Sequence, residues 1–339
     1  MKNKENVTVI CDYYDDSRYS PLRKLKKKKK IQKLDFIKLN SLKKNPLNIF
    51  PIIINLFVLL AKKDSIIIAC APLNPLIIYF MLLKKSKPTK IIYDTSFINW
   101  KTRKYLYITV EPFKTLFERL WFNFLKDMKI RCINSISYNF LKKVSKNTEL
   151  IPHSVDLKKF YPDKSIEREK KFTVLFVGKI KRLKRIDLLL RLAENHRNID
   201  FWFVGDGKMK RDIMGCDLKN VKYYGGVKDT NNLRELYNKS HVLILPSEKE
   251  LFGIVLIEAM ACKTPVIASK CVGPKDIIKN NKTGLLFPKG NYEELEKRLI
   301  KVYKSKPLRK KLTKNAYAKI EKKYDTLLMS DKLEKLIKK

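Results

Sequence analysis

Glu250 and Glu258 stand with seven residues between them in the stretch HVLILPSEKELFGIVLIEAMACKTPVIAS, residues 241–269. A carboxylate accepts hydrogen bonds from hydroxyls, so the first could hold a transferred sugar and the second a ribose. Between them, Gly253 marks the point where an apolar strand and a polar loop give way to a helix. Glycine there lets backbone come close to a ligand, and the free N–H groups of a first helical turn favour an anion such as phosphate. These features suit a nucleotide diphosphate. The same two glutamates also fit a solvated helix face, but Ile257, Ala259, Met260 and Ala261 surround Glu258 with apolar neighbours. A carboxylate in that setting requires a partner.

Such a site needs rigid elements on either side. Short runs rich in β-branched residues alternate with longer helix-period segments, the pattern of βα units around a parallel sheet. Strands are expected at 7–11, 65–71, 90–96, 129–134 and 148–152, then at 172–178, 199–205, 221–226, 241–247 and 264–269. Their continuous apolar character implies burial on both faces. The 339 residues exceed one core at roughly 100–200 residues per domain, which predicts two. The first is expected over 1–155, a polar linker broken by Pro162 over 156–171, and the second domain over 172–311. Over 312–339, Tyr317, Ile320, Tyr324, Leu327, Leu328, Leu333, Leu336 and Ile337 recur at helical spacing, which predicts one or two docking helices.

Composition narrows the function classes. A hydrophobic share of 45% with ten Gly and fourteen Pro excludes disorder and collagen-like structure. The six cysteines are dispersed without a C-x-x-C pair and read as buried thiols in a reducing cytosol. The net charge of +41 is spread evenly, with 31 basic against 11 acidic residues in 1–155 and 44 against 23 in 156–339. That spread fits either a general Lys-rich bias or a surface that meets phosphates or an anionic leaflet. No helix-turn-helix, zinc-finger or aromatic-rich RNA-binding motif accompanies it, so no specific nucleic acid is expected; a basic nucleic-acid binder is the rival class. RKLKKKKK at 23–30 fits a solvated helix face or contact with an anionic membrane. The start is charged and lacks a signal-like apolar region, and no apolar stretch reaches the ~20 residues of a membrane span. The chain is expected in the cytoplasm, with the inner face of the membrane as the place for any peripheral contact.

The stretch 241–269 resembles the signature of glycosyltransferase family 4, a retaining GT-B family. Glu250, Phe252, Gly253, Glu258, Ala259, Pro265 and Val266 match it, and Lys263 stands where the family usually has Gly. FTVLFVGKIKRLKRIDLLLRL (172–192) is similar to the family's strand, Gly, basic residue, loop, second basic residue and helix. Lys179 takes the usual Arg position, Lys184 the second basic position, and Arg185 replaces a common Gly. FWFVGDGKMK (201–210) and VKYYGGV (221–227) resemble the strand ends whose glycines let a nucleotide base approach the backbone. VGPKDIIKNNKTGLLFP (272–288) resembles the loop and Gly-Leu-Leu strand beyond the donor site, with Asp276 where Glu is usual. The resemblance covers residues 148–300.

It implies an α/β fold of GT-B type: two Rossmann-like domains whose parallel sheets face across a cleft, with a C-terminal helix docking back on the first. It implies a transferase that takes a hexose-type sugar from a UDP- or GDP-sugar, with retention, to a glycan or lipid-linked acceptor. Catalytic places fall on Glu250, Lys179 and Lys184. Donor-binding places fall on Gly178, Phe252, Gly253, Ile254, Glu258, Gly205, Gly225 and Val227. In the first domain the chain departs from the family's Gly-rich loop with YYDDSRYSPLRK (13–24), which fits either a polar loop or, through Tyr13, Arg18 and Tyr19, a charged acceptor; Asp94 and His153 are the other acceptor candidates, and His153 equally fits a linker residue near the cleft. Positive charge for the leaving diphosphate comes from the two lysines and the helix after Gly253 rather than a metal. Asp12, Asp15 and Asp16 read as a turn. No cofactor is required, and the departing phosphate takes the acceptor's proton, so no protein base is needed. His196 and His241 are read as structural. A catalytically silent GT-B subunit is the alternative, motivated by Arg185 and Lys263.

Overall fold

The structure, a computed structural model, describes residues 5–11, 20–28, 31–38, 65–69, 91–94, 119, 122, 123, 125, 126 and 128–338. The chain divides into two compact units, Met1–His153 with Thr326–Lys339, and Ser154–Asp325. Residues 156–171, expected as a linker, fall within the second unit. Of the two C-terminal helices, Lys306–Lys323 belongs to the second unit and Thr326–Lys338 to the first.

The first unit carries strands β1 (Glu5–Cys11), β2 (Ile31–Lys38), β3 (Ser65–Ala69), β4 (Ile91–Asp94), β5 (Lys129–Cys132) and β6 (Thr148–Leu150). They form one parallel sheet in the order β2-β1-β3-β4-β5-β6. The helix Ser20–Lys27 contains much of the basic run and buries Pro21, Leu22 and Leu25, while Arg23, Lys26, Lys27 and Lys28 stay exposed. Its apolar side packs on the C-terminal helix, where Met329, Leu333, Leu336 and Ile337 are buried. Ser330 Oγ donates to Pro21 O at 3.0 Å, and Lys129 Nζ to Ile337 O at 3.4 Å. The last helix thus docks on the first unit, as expected.

The second unit carries β7 (Thr173–Val177), β8 (Asp200–Val204), β9 (Val221–Gly225), β10 (Val242–Leu245), β11 (Val266–Ser269) and β12 (Leu285–Phe287). All pair in parallel, in the order β12-β11-β10-β7-β8-β9. Every residue of β7, β10, β11 and β12 is buried, because helices cover both faces of such a sheet. Read from the other edge, this is the doubly wound order 3-2-1-4-5-6. Strand order reverses between β7 and β10, and open α/β sheets bind ligands beyond the carboxyl ends at such a reversal.

Side-chain caps define several helix starts. Asp229 accepts from Asn232 N at 3.1 Å before Thr230–Lys239, Asn291 from Glu294 N at 2.8 Å before Tyr292–Lys304, and Ser305 from Leu308 N at 3.2 Å before Lys306–Lys323. Among the described residues no helix is long and apolar enough to cross a membrane.

Candidate functional site

The loops leaving β7 and β10 meet at the strand reversal. The first runs from Gly178 to a 3-10 turn, Arg182–Lys184, and the second from Pro246 to Gly253, ahead of the helix Ile254–Ala261. Lys184 Nζ donates to Glu250 Oε2 at 2.6 Å, the two side chains being 16% and 17% exposed. They are sheltered, yet open to solvent on one side. Backbone bonds hold them there: Glu248 N donates to Leu183 O at 2.8 Å, and Gly273 N to Glu250 O at 3.0 Å. Gly253 turns the chain into the helix at φ 98°, a left-handed conformation that glycine adopts without strain. Ile254 follows, half-buried.

Lys179 is exposed at the start of the first loop. The Phe252 ring is buried edge-on to Tyr324, with centroids 6.0 Å apart, so it anchors the loop rather than joining Lys184 and Glu250. Gly205 serves the protein's own backbone: a Cβ there would lie 1.9 Å from Gly178 O. The bonds Gly178 N to Val204 O (2.9 Å) and Gly205 N to Gly225 O (2.7 Å) stitch the ends of β7, β8 and β9 together. At Gly225, by contrast, a Cβ would meet nothing within 4 Å, and Val227 is half-buried just beyond.

The partner that Glu258 requires is Tyr237, whose hydroxyl donates to Oε2 at 2.8 Å. Nothing local in the sequence marks it, because Tyr237 continues the apolar spacing of Leu233 and Leu236 on its helix. Both residues that replace the family's glycines take up glycine-like backbone, Arg185 at φ 50° and Lys263 at φ 54°. Arg185 is braced by Asp187, with Nη2 to Oδ2 at 2.7 Å, and the Lys263 ammonium lies over the Tyr317 ring at 4.8 Å.

Of the residues assigned to an acceptor, Tyr13, Arg18 and Tyr19 lie outside the described residues, as do Asp12, Asp15 and Asp16. Asp94 ends β4, in register with Arg131 of β5. His153 is buried at the end of the first unit's main segment. His196 Nε2 is 2.8 Å from Glu296 Oε1, and the His241 ring stacks on Phe172, so both serve packing. Among the described residues no group of three or more His, Cys, Asp and Glu could hold a metal ion.

Two parallel six-stranded sheets, the second with its loops converging at a strand reversal, define a GT-B fold, and solved structures share it. Sucrose-phosphate synthase from Thermosynechococcus elongatus is similar with a TM-score of 0.78 over 99% of this chain and 98% of its own, at 18% identity. Anabaena HepE in complex with UDP-glucose has a TM-score of 0.73 over 98% and 99% of the two chains, at 15% identity. Residues 158–319 match the family model described as Glycosyl transferases group 1. An uncharacterized glycosyltransferase of Methanocaldococcus jannaschii is 34% identical over 146 residues, 42% of this chain and 41% of that protein. The chain spans less than half the length of the first curated relatives it matches.

Proposed function

We propose that this chain is a retaining glycosyltransferase that moves a hexose-type sugar from a UDP- or GDP-sugar to a glycan or lipid-linked acceptor. The observation that carries this reading is the Lys184–Glu250 pair, joined at 2.6 Å beyond β7 and β10 where the strand order reverses. The match of residues 158–319 to Glycosyl transferases group 1 and the UDP-glucose held by HepE support the donor class.

When a nucleoside diphosphate departs, negative charge gathers on its distal phosphate. Lys184, Lys179 and the N–H groups that open the helix Ile254–Ala261 offset that charge without reorganising. Glu250 accepts from a hydroxyl of the transferred sugar, and Glu258 from the ribose. The acceptor hydroxyl bonds to the anomeric carbon on the face that the diphosphate leaves, so the sugar keeps its configuration, and the departing phosphate receives the acceptor's proton, so no protein base takes part.

Release of UDP or GDP from the matching nucleotide sugar tests this. Lys184→Ala is expected to lower turnover by ~10²–10³ while the variant still melts cooperatively. Equal turnover in variant and wild type would remove Lys184 from the chemistry, and no release from any nucleotide sugar would remove the transferase.

A further inference from the structure

Glu258 sits within an apolar helix at 7% exposure, beside Ile257, Ala259 and Met260, which have none. Its phenolic partner, Tyr237, comes from the helix Thr230–Lys239 and has no exposed surface either. Tyr237 is itself fixed. Its ring meets Phe160 edge-on at 6.0 Å, and its carbonyl accepts from Ser240 Oγ at 3.0 Å and from Thr264 Oγ1 at 2.6 Å. Burial, and then the charge of Glu258, push the phenol well above its ordinary range, so Tyr237 stays a donor. Cys262, one turn further along the helix of Glu258, is a buried thiol pushed up by burial and by the same carboxylate, so it adds no competing charge. A rigid donor on one carboxylate oxygen fixes the rotamer and leaves the other oxygen to accept a hydrogen bond.

We propose that Tyr237 is the positioning residue for Glu258, holding its carboxylate as the acceptor for the vicinal hydroxyls of the donor's ribose; this rests on the nucleotide-sugar reading above. Having no exposed surface, Tyr237 acts only through Glu258.

The test compares two probes by calorimetric titration: whichever of UDP and GDP the wild type binds, and the 2′,3′-dideoxy form of the same diphosphate. Tyr237→Phe removes one oxygen and is expected to weaken the natural diphosphate about tenfold while moving the dideoxy form by less than about twofold. Glu258→Ala should reproduce that pattern. The double variant Tyr237→Phe/Glu258→Ala leaves no buried charge without its donor, and should bind no more weakly than Glu258→Ala alone. Equal losses on both probes would make Tyr237 a general packing residue and overturn its positioning role. An unchanged affinity in Tyr237→Phe, or additive losses in the double variant, would overturn it too. A wild type that binds neither UDP nor GDP would instead overturn the donor reading, and the ribose role with it.

Discussion

His241 immediately precedes β10, its ring stacked 4.8 Å from Phe172 and its Nδ1 accepting the Thr173 N–H at 3.1 Å. That bond requires a neutral ring. Burial, followed by the charges of Arg168 and Arg309, lowers its pKa from 6.5 to about 4. The unfolded chain therefore takes a proton near pH 6.5 that the folded chain refuses until about pH 4. Stability from this residue is complete above 6.5 and is lost as pH falls from there toward 4, by about 2 kcal/mol after allowance for partial solvent access. Denaturant titrations at pH 7.5 and 4.5 should show this loss shrinking in His241→Asn, which keeps an acceptor; an equal loss in both proteins would assign it to other groups. At this scale the sequence is legible where a residue breaks its local pattern. Glu258 in an apolar helix and Gly253 at a helix start both stand out. Tyr237 does not, because a tyrosine at an apolar position looks the same whether or not its hydroxyl holds a carboxylate. Arg185 and Lys263 stand out as departures from glycine, and the backbone explains the family's preference: both φ angles are positive. Such strain costs about 1–2 kcal/mol per residue, so neither substitution abolishes the loop it occupies.

Among elements, all ten strands expected from apolar runs form; β1 begins two residues earlier than expected, at Glu5, and the other nine are shorter than their apolar runs. β2 is not among them. Its sequence, IQKLDFIK, carries three charges in eight residues and follows directly on the lysine run, so composition hides a strand that pairs only with β1 at the sheet edge. The same run conceals the helix Ser20–Lys27, whose Leu22 and Leu25 lie in the core. Burial of that side leaves Arg23, Lys26, Lys27 and Lys28 outward, and ~1 kcal/mol per charge would hold an anionic leaflet. Vesicles rich in phosphatidylglycerol should therefore carry the protein upward in a low-salt flotation gradient, and Lys26→Glu/Lys27→Glu/Lys28→Glu should leave it at the bottom. A wild type that stays at the bottom would reduce the cluster to a solvated face.

For the whole molecule, the alternation of strands and helices was enough to expect two parallel sheets, but the strand reversal that gathers Lys184 and Glu250 is a matter of topology. They are 66 residues apart in sequence, and only the return of the chain from β9 to the far side of β7 brings their loops together. The charge of +41 is distributed over both halves and does not point to this site, which uses a few of the 75 basic residues. The proposed function therefore turns on the second unit: the proposal is that it holds a nucleoside diphosphate without a metal and that Glu258 contributes to the grip. The most direct measurement is the thermal shift of the full chain against UDP and GDP in the presence of a chelator, repeated with Glu258→Ala. A rise of about 5 °C with one of the two at ~100 times its Kd, diminished in the variant, is the expected result. No rise with either at millimolar concentration would contradict the nucleotide-sugar site.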